Sequence, residues 1–486
     1  MAIYSKKSYI ITERMLRGWI RCKRKAWLDK YGDKKLRVWS PHKTLQLDHQ
    51  HQSFLELISK PPSIGIQGFQ KGSELISGLK LKGKTPFGQS IEAYPALIQK
   101  TGGESQWGKF SYRPVITKQG RKLTREHKLS LAFTGLLLSN LQENLVNQGI
   151  AISKTDKGLS ITKLNITKNL TAELIGILNK LEKDLNTNDP PPLTSNRRKC
   201  SICSWRNFCN SEASFQGHLS EVVGIGSKRM EMLQKSGVKN VKELANSNPV
   251  LLQKTLENYG EINKTIASQI IKQAFVQSKK IKERLTHENI FPELIEAKGV
   301  LIYDIESDPD KKHDFLHGFM RVVKTKGEEW DIKKKSYHPI LSLNIEDEKV
   351  TWQRLQKKLN TYKNWPILHY GETEALALYR LAERQNAKEN ELLEIKARCI
   401  DIHSRIKEQW RLPVNSYGLK SIASYLDFEW SDKGVDGAQA LLWWRQWKNS
   451  RRATKTYSRN LKLILNYNRD DCLATWIITN WLLNQK

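Results

Sequence analysis

The sequence predicts a multidomain protein of mixed α/β class, and three observations carry that prediction. Its 486 residues exceed one ordinary domain. Apolar runs of strand character alternate along the chain with longer runs of helical period. One cysteine near the start, and three more just after a proline run, frame the first part of the chain. A hydrophobic fraction of 39% with 15 tryptophans can build real cores, which excludes a disordered chain.

Charge narrows the partner. There are 81 basic against 50 acidic residues, a formal net charge of +31. An excess of that size is the electrostatic footprint of a polyanion binder, most simply a nucleic-acid binder, with DNA favoured over RNA. The opening MAIYSKKSYIITERML has no apolar signal-peptide core. The longest apolar stretches, LAFTGLLL and LATWII, fall short of the ~20 residues that span a bilayer, so no membrane partner is expected. Six cysteines in a chain of this length do not make a disulfide scaffold, and a reducing cytoplasm is the expected compartment.

Taken in order, Thr12 reads as an N-cap for a helix running through Trp19, Cys22 and Trp27 to Tyr31. HKTLQLDHQHQSFLELISK continues as helix. Glycine-punctuated strands follow (GIQGFQKG and LKLKGKTPFGQS), then a strand at 108–118 and a buried helix, LAFTGLLLSNLQENL. A helix over 168–185 leads into Pro190, Pro191 and Pro192 and the array RRKCSICSWRNFC. Cys200, Cys203 and Cys209 stand there in C-x2-C-x5-C spacing, with Cys22 as the natural fourth thiol. Four thiolates are the usual complement of an iron–sulfur cluster or a structural zinc. Zinc sites usually show two close C-x2-C pairs, which favours a cluster over zinc, the alternative; three reduced structural thiols are the plain reading.

One cysteine before an α/β core and three after it resembles the iron–sulfur staple of RecB-family nucleases, which implies a 4Fe-4S cluster on Cys22, Cys200, Cys203 and Cys209. The resemblance implies a restriction-endonuclease-like core over 1–212 with a PD-(D/E)xK metal site. The chain departs from that pattern: Ala96 in AYPALIQ stands where the family has aspartate, and Ile116 in YRPVITK where it has an acid, although Lys118 remains. Leu129 and Phe133 replace the expected Gln and Tyr of the next helix. A degenerate core kept for shape and nucleic-acid contact is expected, with Glu92 or His51 as the residues that could rebuild a site.

Residues 213–296 form the second expected segment. HLSEVVGIGSKRMEMLQKSGVKNVKELANSNP reads as a helix-hairpin-helix, with a Gly224-Ile225-Gly226 hairpin. Glycines admit a phosphate close to the backbone, the following amides point at it, and Lys228 and Arg229 add charge. SKKIKERL (278–285) reads as a Lys-rich helix. The plain alternative is a glycine turn in a helical linker.

The third segment, 297–486, opens on GVLIYDIES, a buried strand ending in Asp304 and Glu306. Side chains two apart on a strand share a face, so both can reach one cation. Strands FLHGFMRVVK and YHPILSL, a helix, the strand PILHY and the helix TEALALYRLAER with Glu374 follow. On the last helix, ILNYNRDDCLATWIITNWLL, Tyr467 and Asp471 are four apart and share a face. Asp470 competes with Asp471, but Asp471 is the one with a tyrosine four before it. This ordered set resembles the RNase H-like DEDD exonucleases with tyrosine in the third motif. The resemblance implies a 3'–5' exonuclease in which Asp304, Glu306, Glu374, Tyr467 and Asp471 work with two Mg²⁺ or Mn²⁺ ions, Asp304, Glu306 and Asp471 ligating. Glu374 stands for the usual aspartate and Tyr370 for the usual asparagine, and Asp401 is a supporting acid. The expected function is a metal-dependent nuclease with chemistry in 297–486. The alternative is a non-catalytic nucleic-acid-binding scaffold.

Overall fold

A computed structural model describes residues 9–120, 122–155, 157–325, 329–332, 336–449 and 455–485, with backbone only at 455–458. The chain divides into two compact units, Met1–Glu212 and Ala213–Lys486. Both mix helices with sheets.

The first unit is built on a six-stranded sheet. Its order is Ser63–Ile64, Leu75–Ser77, Leu97–Thr101, Ser111–Thr117, Gln148–Thr155 and Gly158–Asn165. Ser111–Thr117 and Gln148–Thr155 run parallel, as a connection through the helix Arg125–Gln142 requires. That helix has apolar residues on most of its surface. Leu129, Phe133 and Leu137 bury against Leu174, Leu178 and Leu181 of the helix Lys168–Leu185. A second sheet pairs Ile11–Thr12 with Ser90–Ala93 and that strand with Leu81–Lys84.

Two local expectations need correction here. The N-terminal helix is broken at Cys22, which is extended (φ −162°, ψ 119°) between Glu13–Arg21 and Lys23–Tyr31. The second helix folds back on the first, and a Cβ at Gly18 would lie only 3.9 Å from the Ala26 Cα, a contact that a continuous helix could not make. In GIQGFQKG, Gln67–Gln70 is a helical turn and not a strand, because it drives Phe69 into the core to stack on Trp107 with centroids 4.5 Å apart.

The second unit contains a helical segment and an α/β segment. Helices Ser227–Lys235, Val241–Ala245, Pro249–Asn258 and Ile266–Lys279 share one core around Leu233, Leu244, Leu256 and Ile270. Gln273 and Gln277 on the last of these donate to the carbonyls of Leu412 and Val414 at 2.9 and 3.0 Å, joining this segment to the α/β part. The expected helix at 278–285 ends instead at Lys279. Lys280 turns left-handed, and Glu283–Arg284 pairs with Trp410–Arg411, which lays the Lys282 ammonium over Trp410 and Trp481. A lysine-rich helix would have buried nothing in return for its ordering.

The α/β segment is a sheet whose centre is Gly299–Asp308. His313–Lys324 lies antiparallel on one side, with Tyr337–Leu341 beyond it, and Ile367–His369 and then Cys399–Asp401 lie parallel on the other. Alternation sorts the central strand's side chains. Leu301 and Tyr303 pack beneath the helices Glu348–Thr361 and Glu372–Arg384. Val300 and Ile302 enter the opposite core, which includes Ala474 and Ile478 of the long helix Lys455–Leu483. Asp304 and Glu306 continue that second row and so meet the last helix.

Trp205 ties the cysteine array into the first unit. Its ring is 1% exposed, its indole donates to Asp29 at 2.7 Å, and its edge sits where a Cβ at Gly32 would be 2.7 Å away. Trp205→Ala is expected to destabilise the first unit by about 3–5 kcal/mol, the usual range for emptying a buried aromatic site. Chemical denaturation checks this, and a loss below ~1 kcal/mol would contradict it.

Candidate active site

Three carboxylates from two elements converge. Ligand oxygens of Asp304, Glu306 and Asp471 all lie within 4.8 Å of one another. The strand supplies the first two and the last helix the third. Burial, followed by repulsion from Asp471, pushes the Asp304 and Glu306 carboxyls well above their usual range. Burial also pushes Asp471 up to about 6, against the opposing pull of the Trp430 hydrogen bond. Like charges held this close in a largely buried site favour a cation, and an all-oxygen set suits Mg²⁺ or Mn²⁺.

Two of the three carboxylates, Asp304 and Asp471, are oriented by neighbours. Asn468 Nδ2 donates to Asp304 Oδ2 at 2.6 Å, and its Oδ1 accepts from the Tyr337 hydroxyl at 2.8 Å. Trp430 Nε1 donates to Asp471 Oδ1 at 2.7 Å, and the buried Tyr467 hydroxyl also bonds to Asp471. Asp470 points elsewhere: its Oδ2 accepts from the Ser431 amide at 2.8 Å and its Oδ1 from Arg469. Lys420 lies near this cluster, with its ammonium 4.9 Å from the Tyr467 ring centroid.

Glu374 stands outside the group of three. It sits in the first turn of Glu372–Arg384, after Gly371 at φ +98°. Burial pushes its carboxyl up to about 7, and its Oε2 has no hydrogen-bond partner. Asp401 builds this turn. Its Oδ1 accepts from the amides of Gly371 and His403 at 2.8 and 2.9 Å, and its Oδ2 from Ser404 at 2.8 Å. Those bonds hold the Asp401 carboxyl below the usual range despite burial. Tyr370, in the position where asparagine is usual, donates to the Tyr417 carbonyl.

Asn468, Trp430 and Lys420 escape a motif-based reading. Asn468 carried a faint signal, being three residues before Asp471 and so near its helical face. Trp430 and Lys420 carried none, since both reach the site from distant sequence.

In the first unit, Cys22, Cys200, Cys203 and Cys209 line one cavity of about 300 Å³, with Leu193 and Trp205 among its walls. The break at Cys22 places that thiol between two helices, and burial pushes the Cys200 thiol up to about 11. Cys399 and Cys472 lie in the other unit.

The positions expected of a nuclease core in the first unit hold no acid. Ala96 precedes the strand Leu97–Thr101, and Ile116 pairs with Ala151 inside the sheet. Lys118 is buried and donates to the Gly120 carbonyl at 3.0 Å. Glu92 lies in the smaller sheet, where it accepts from the Tyr94 hydroxyl at 2.7 Å and pairs with Lys80 at 3.3 Å. His51 is exposed on the helix Pro41–Leu57. None of these joins a metal-ligating cluster among the described residues.

In the hairpin, Gly224 adopts φ +92°, a conformation that favours glycine, and Gly226 caps the helix Ser227–Lys235. Arg229 is committed within the fold, donating to Glu261 at 2.8 Å and to the Gly224 carbonyl at 2.9 Å, while Lys228 reaches the Gly260 carbonyl at 3.4 Å. The expected charge contribution of Arg229 is therefore largely balanced by Glu261.

Comparison with known proteins fits the second unit. Residues 301–483 match the family model of the RNase_H superfamily, a span that contains the converging acids. The C-terminal segment is thus an RNase H-like domain, a nuclease-type fold whose substrate is nucleic acid and which usually works with divalent metals. None of the curated proteins matches the chain. A solved structure titled "Crystal structure of SSO0001" is 15% identical, covers 43% of this chain and 89% of that chain, and has a TM-score of 0.27. A likeness at that level carries no argument. Among the described residues, no helix is long and apolar enough to cross a membrane.

Gly318 lies directly across the sheet from Asp304, and a Cβ there would come within 1.7 Å of Asn468 Oδ1. Gly318→Ala is expected to displace Asn468, cost about 1–3 kcal/mol of stability, and weaken divalent-ion binding roughly 10–100-fold, as loss of a ligand-orienting partner does. Thermal melts and Mn²⁺ titration check this; an alanine variant with unchanged Mn²⁺ affinity would show that Asn468 does not orient Asp304.

Proposed function

We propose that the chain is a metal-dependent nuclease, a 3'–5' exonuclease favouring DNA, with its chemistry at the RNase H-like acid site. The observation that carries this reading is the convergence of Asp304, Glu306 and Asp471 within 4.8 Å, on a domain of that superfamily. These three would hold the divalent ion, which when bound supplies charge stabilisation at the phosphoryl oxygens and a more acidic water. Asn468 fixes the Asp304 carboxylate and Trp430 the Asp471 carboxylate. Tyr467, bonded to Asp471, orients the nucleophile. Glu374, with an unpartnered oxygen and a carboxyl pushed up to about 7, is poised to exchange a proton near neutrality. The hairpin amides around Gly224 and Gly226 and the net positive charge supply grip without base readout.

The test is nucleotide release from end-labelled DNA and RNA with Mg²⁺ or Mn²⁺. Asp304→Ala and Asp471→Ala are expected to fall to background, Tyr467→Phe to keep metal binding at a lower rate, and Lys118→Ala to retain activity. Activity that survives Asp304→Ala but is lost with Lys118→Ala would place the chemistry in the first unit. Tight nucleic-acid binding with no cleavage by any version would favour the scaffold alternative.

We further assign the four thiols to a RecB-type 4Fe-4S staple. They share one cavity. A lone thiol with a C-x2-C-x5-C trio, in place of the two close C-x2-C pairs usual for zinc, supports a cluster. Anaerobically purified protein is expected to be brown and to carry iron and sulfide that Cys22→Ser loses and Cys399→Ser keeps. Colourless protein with one zinc per chain would overturn the assignment.

A further inference from the structure

Three buried guanidinium nitrogens on residues that wall the cysteine cavity lack a partner. Arg24, Arg197 and Arg206 line that cavity with the four thiols. Arg24 Nε, Arg197 Nη1 and Arg206 Nη1 are buried and make no hydrogen bond among the described residues. Arg24 is 4% exposed, and its other two nitrogens are fixed on the Pro191 carbonyl at 2.7 Å and on Glu212. Arg197 and Arg206 are only partly buried as residues. Arg197 Nη2 meets neutral acceptors, Asn210 Oδ1 and the Cys209 carbonyl. Cys209 feels the charges of Arg24 and Arg197, and Cys200 that of Arg197.

The other cations of this wall are accounted for. Arg21, Lys25 and Arg24 pair with Glu126, Asp29 and Glu212, and Lys199 is exposed. Among the described residues, that leaves Arg197 and Arg206 as cations with buried tips, while Arg24 adds a fixed donor whose charge Glu212 offsets. A donor taken out of water without an acceptor costs its desolvation, so three on one wall call for acceptors. The sulfurs of a thiolate-held cluster accept hydrogen bonds, and donors and positive charge beside those sulfurs favour the added electron of the reduced form. Zinc on the same thiolates takes no electron.

We propose that Arg24, Arg197 and Arg206 are positioning residues for the iron–sulfur group, donating to its sulfurs and raising its reduction potential, so that the staple is a redox-responsive centre as well as a clasp. The proposal rests on the cluster assignment made above. In the reduction one electron enters from a low-potential donor, no bond is made or broken, and the arginine side chains offset the added negative charge. A clasp alone needs thiolates and apolar walls, which Leu193 and Trp205 help to supply. Buried N–H donors suit a group whose negative charge grows.

The experiment is potentiometric titration of the anaerobically purified full chain with dithionite, with iron and sulfide assayed in every sample. Loss of visible colour and the paramagnetic signal of the reduced cluster are the readouts. Wild type is expected to be reduced reversibly. Arg197→Gln combined with Arg206→Gln is expected to keep iron and sulfide but to shift the reduction equilibrium roughly tenfold toward the oxidised form, a potential lower by about 59 mV for one electron. Arg197→Lys with Arg206→Lys should recover most of that shift, and Arg198→Gln, at an exposed neighbour, should leave the potential unchanged. Brown wild-type protein that dithionite cannot reduce overturns the proposal even if the glutamine pair fails to fold. A cluster-loaded glutamine pair with the wild-type potential, or an equal fall in Arg198→Gln, also overturns it and leaves the cluster assignment standing. Colourless protein with zinc sinks the cluster assignment and this proposal together.

Discussion

The second unit depends on keeping mutually repelling carboxylates buried together. Two unit charges about 5 Å apart repel by roughly 3 kcal/mol at an effective dielectric near 20, so the fold must hold Asp304, Glu306 and Asp471 against their own field. What holds them is apolar. Val300 and Ile302 on the strand and Ile464, Ala474, Trp476, Ile478 and Leu482 on the last helix are all buried. Each large side chain of this kind contributes about 1.5–3 kcal/mol, enough together to press strand and helix into contact. The acids lie at the end of that contact, where apolar packing gives way to Asn468, Trp430 and Tyr467.

Space at this crossing is as constrained as charge. Gly318 leaves the gap through which Asn468 reaches Asp304, and Asn468 is itself completely buried. The turn that carries Glu374 is built in a similar way, by Asp401 gathering the amides of Gly371 and His403. Asp401 thus spends its oxygens on backbone, whereas Asp304, Glu306 and Asp471 direct theirs at one another. The same residue type does structural or candidate chemical work according to what its oxygens meet.

In the first unit the polar work has moved away from the sheet. Positions 96 and 116 are apolar, Lys118 bonds backbone, and Glu92 pairs with Lys80 and accepts from Tyr94. The thiols, by contrast, face a shared cavity walled partly by Trp205. The hairpin of the second unit shows a comparable economy, since Arg229 closes on Glu261 and leaves the glycine-rich backbone as its distinctive feature.

Local periodicity is what the sequence by itself determined. Spacing of two on GVLIYDIES and of four on the last helix assigns Asp304 with Glu306, and Tyr467 with Asp471, to common faces, because strand and helix periods are set by backbone geometry alone. The order of strands and helices toward the C-terminus was legible for the same reason, and residues 301–483 match the RNase H-like superfamily. Tertiary structure decided the rest. Asn468 meets Asp304 across 164 residues and Trp430 meets Asp471 across 41, and no period links positions so far apart. Glu374 was placed by motif order, but its distance from the other acids depends on a turn shaped by Asp401. The helix break at Cys22 and the commitment of Arg229 to Glu261 likewise follow from what packs against them. Such contacts exist only once separate elements are pressed together by their buried faces.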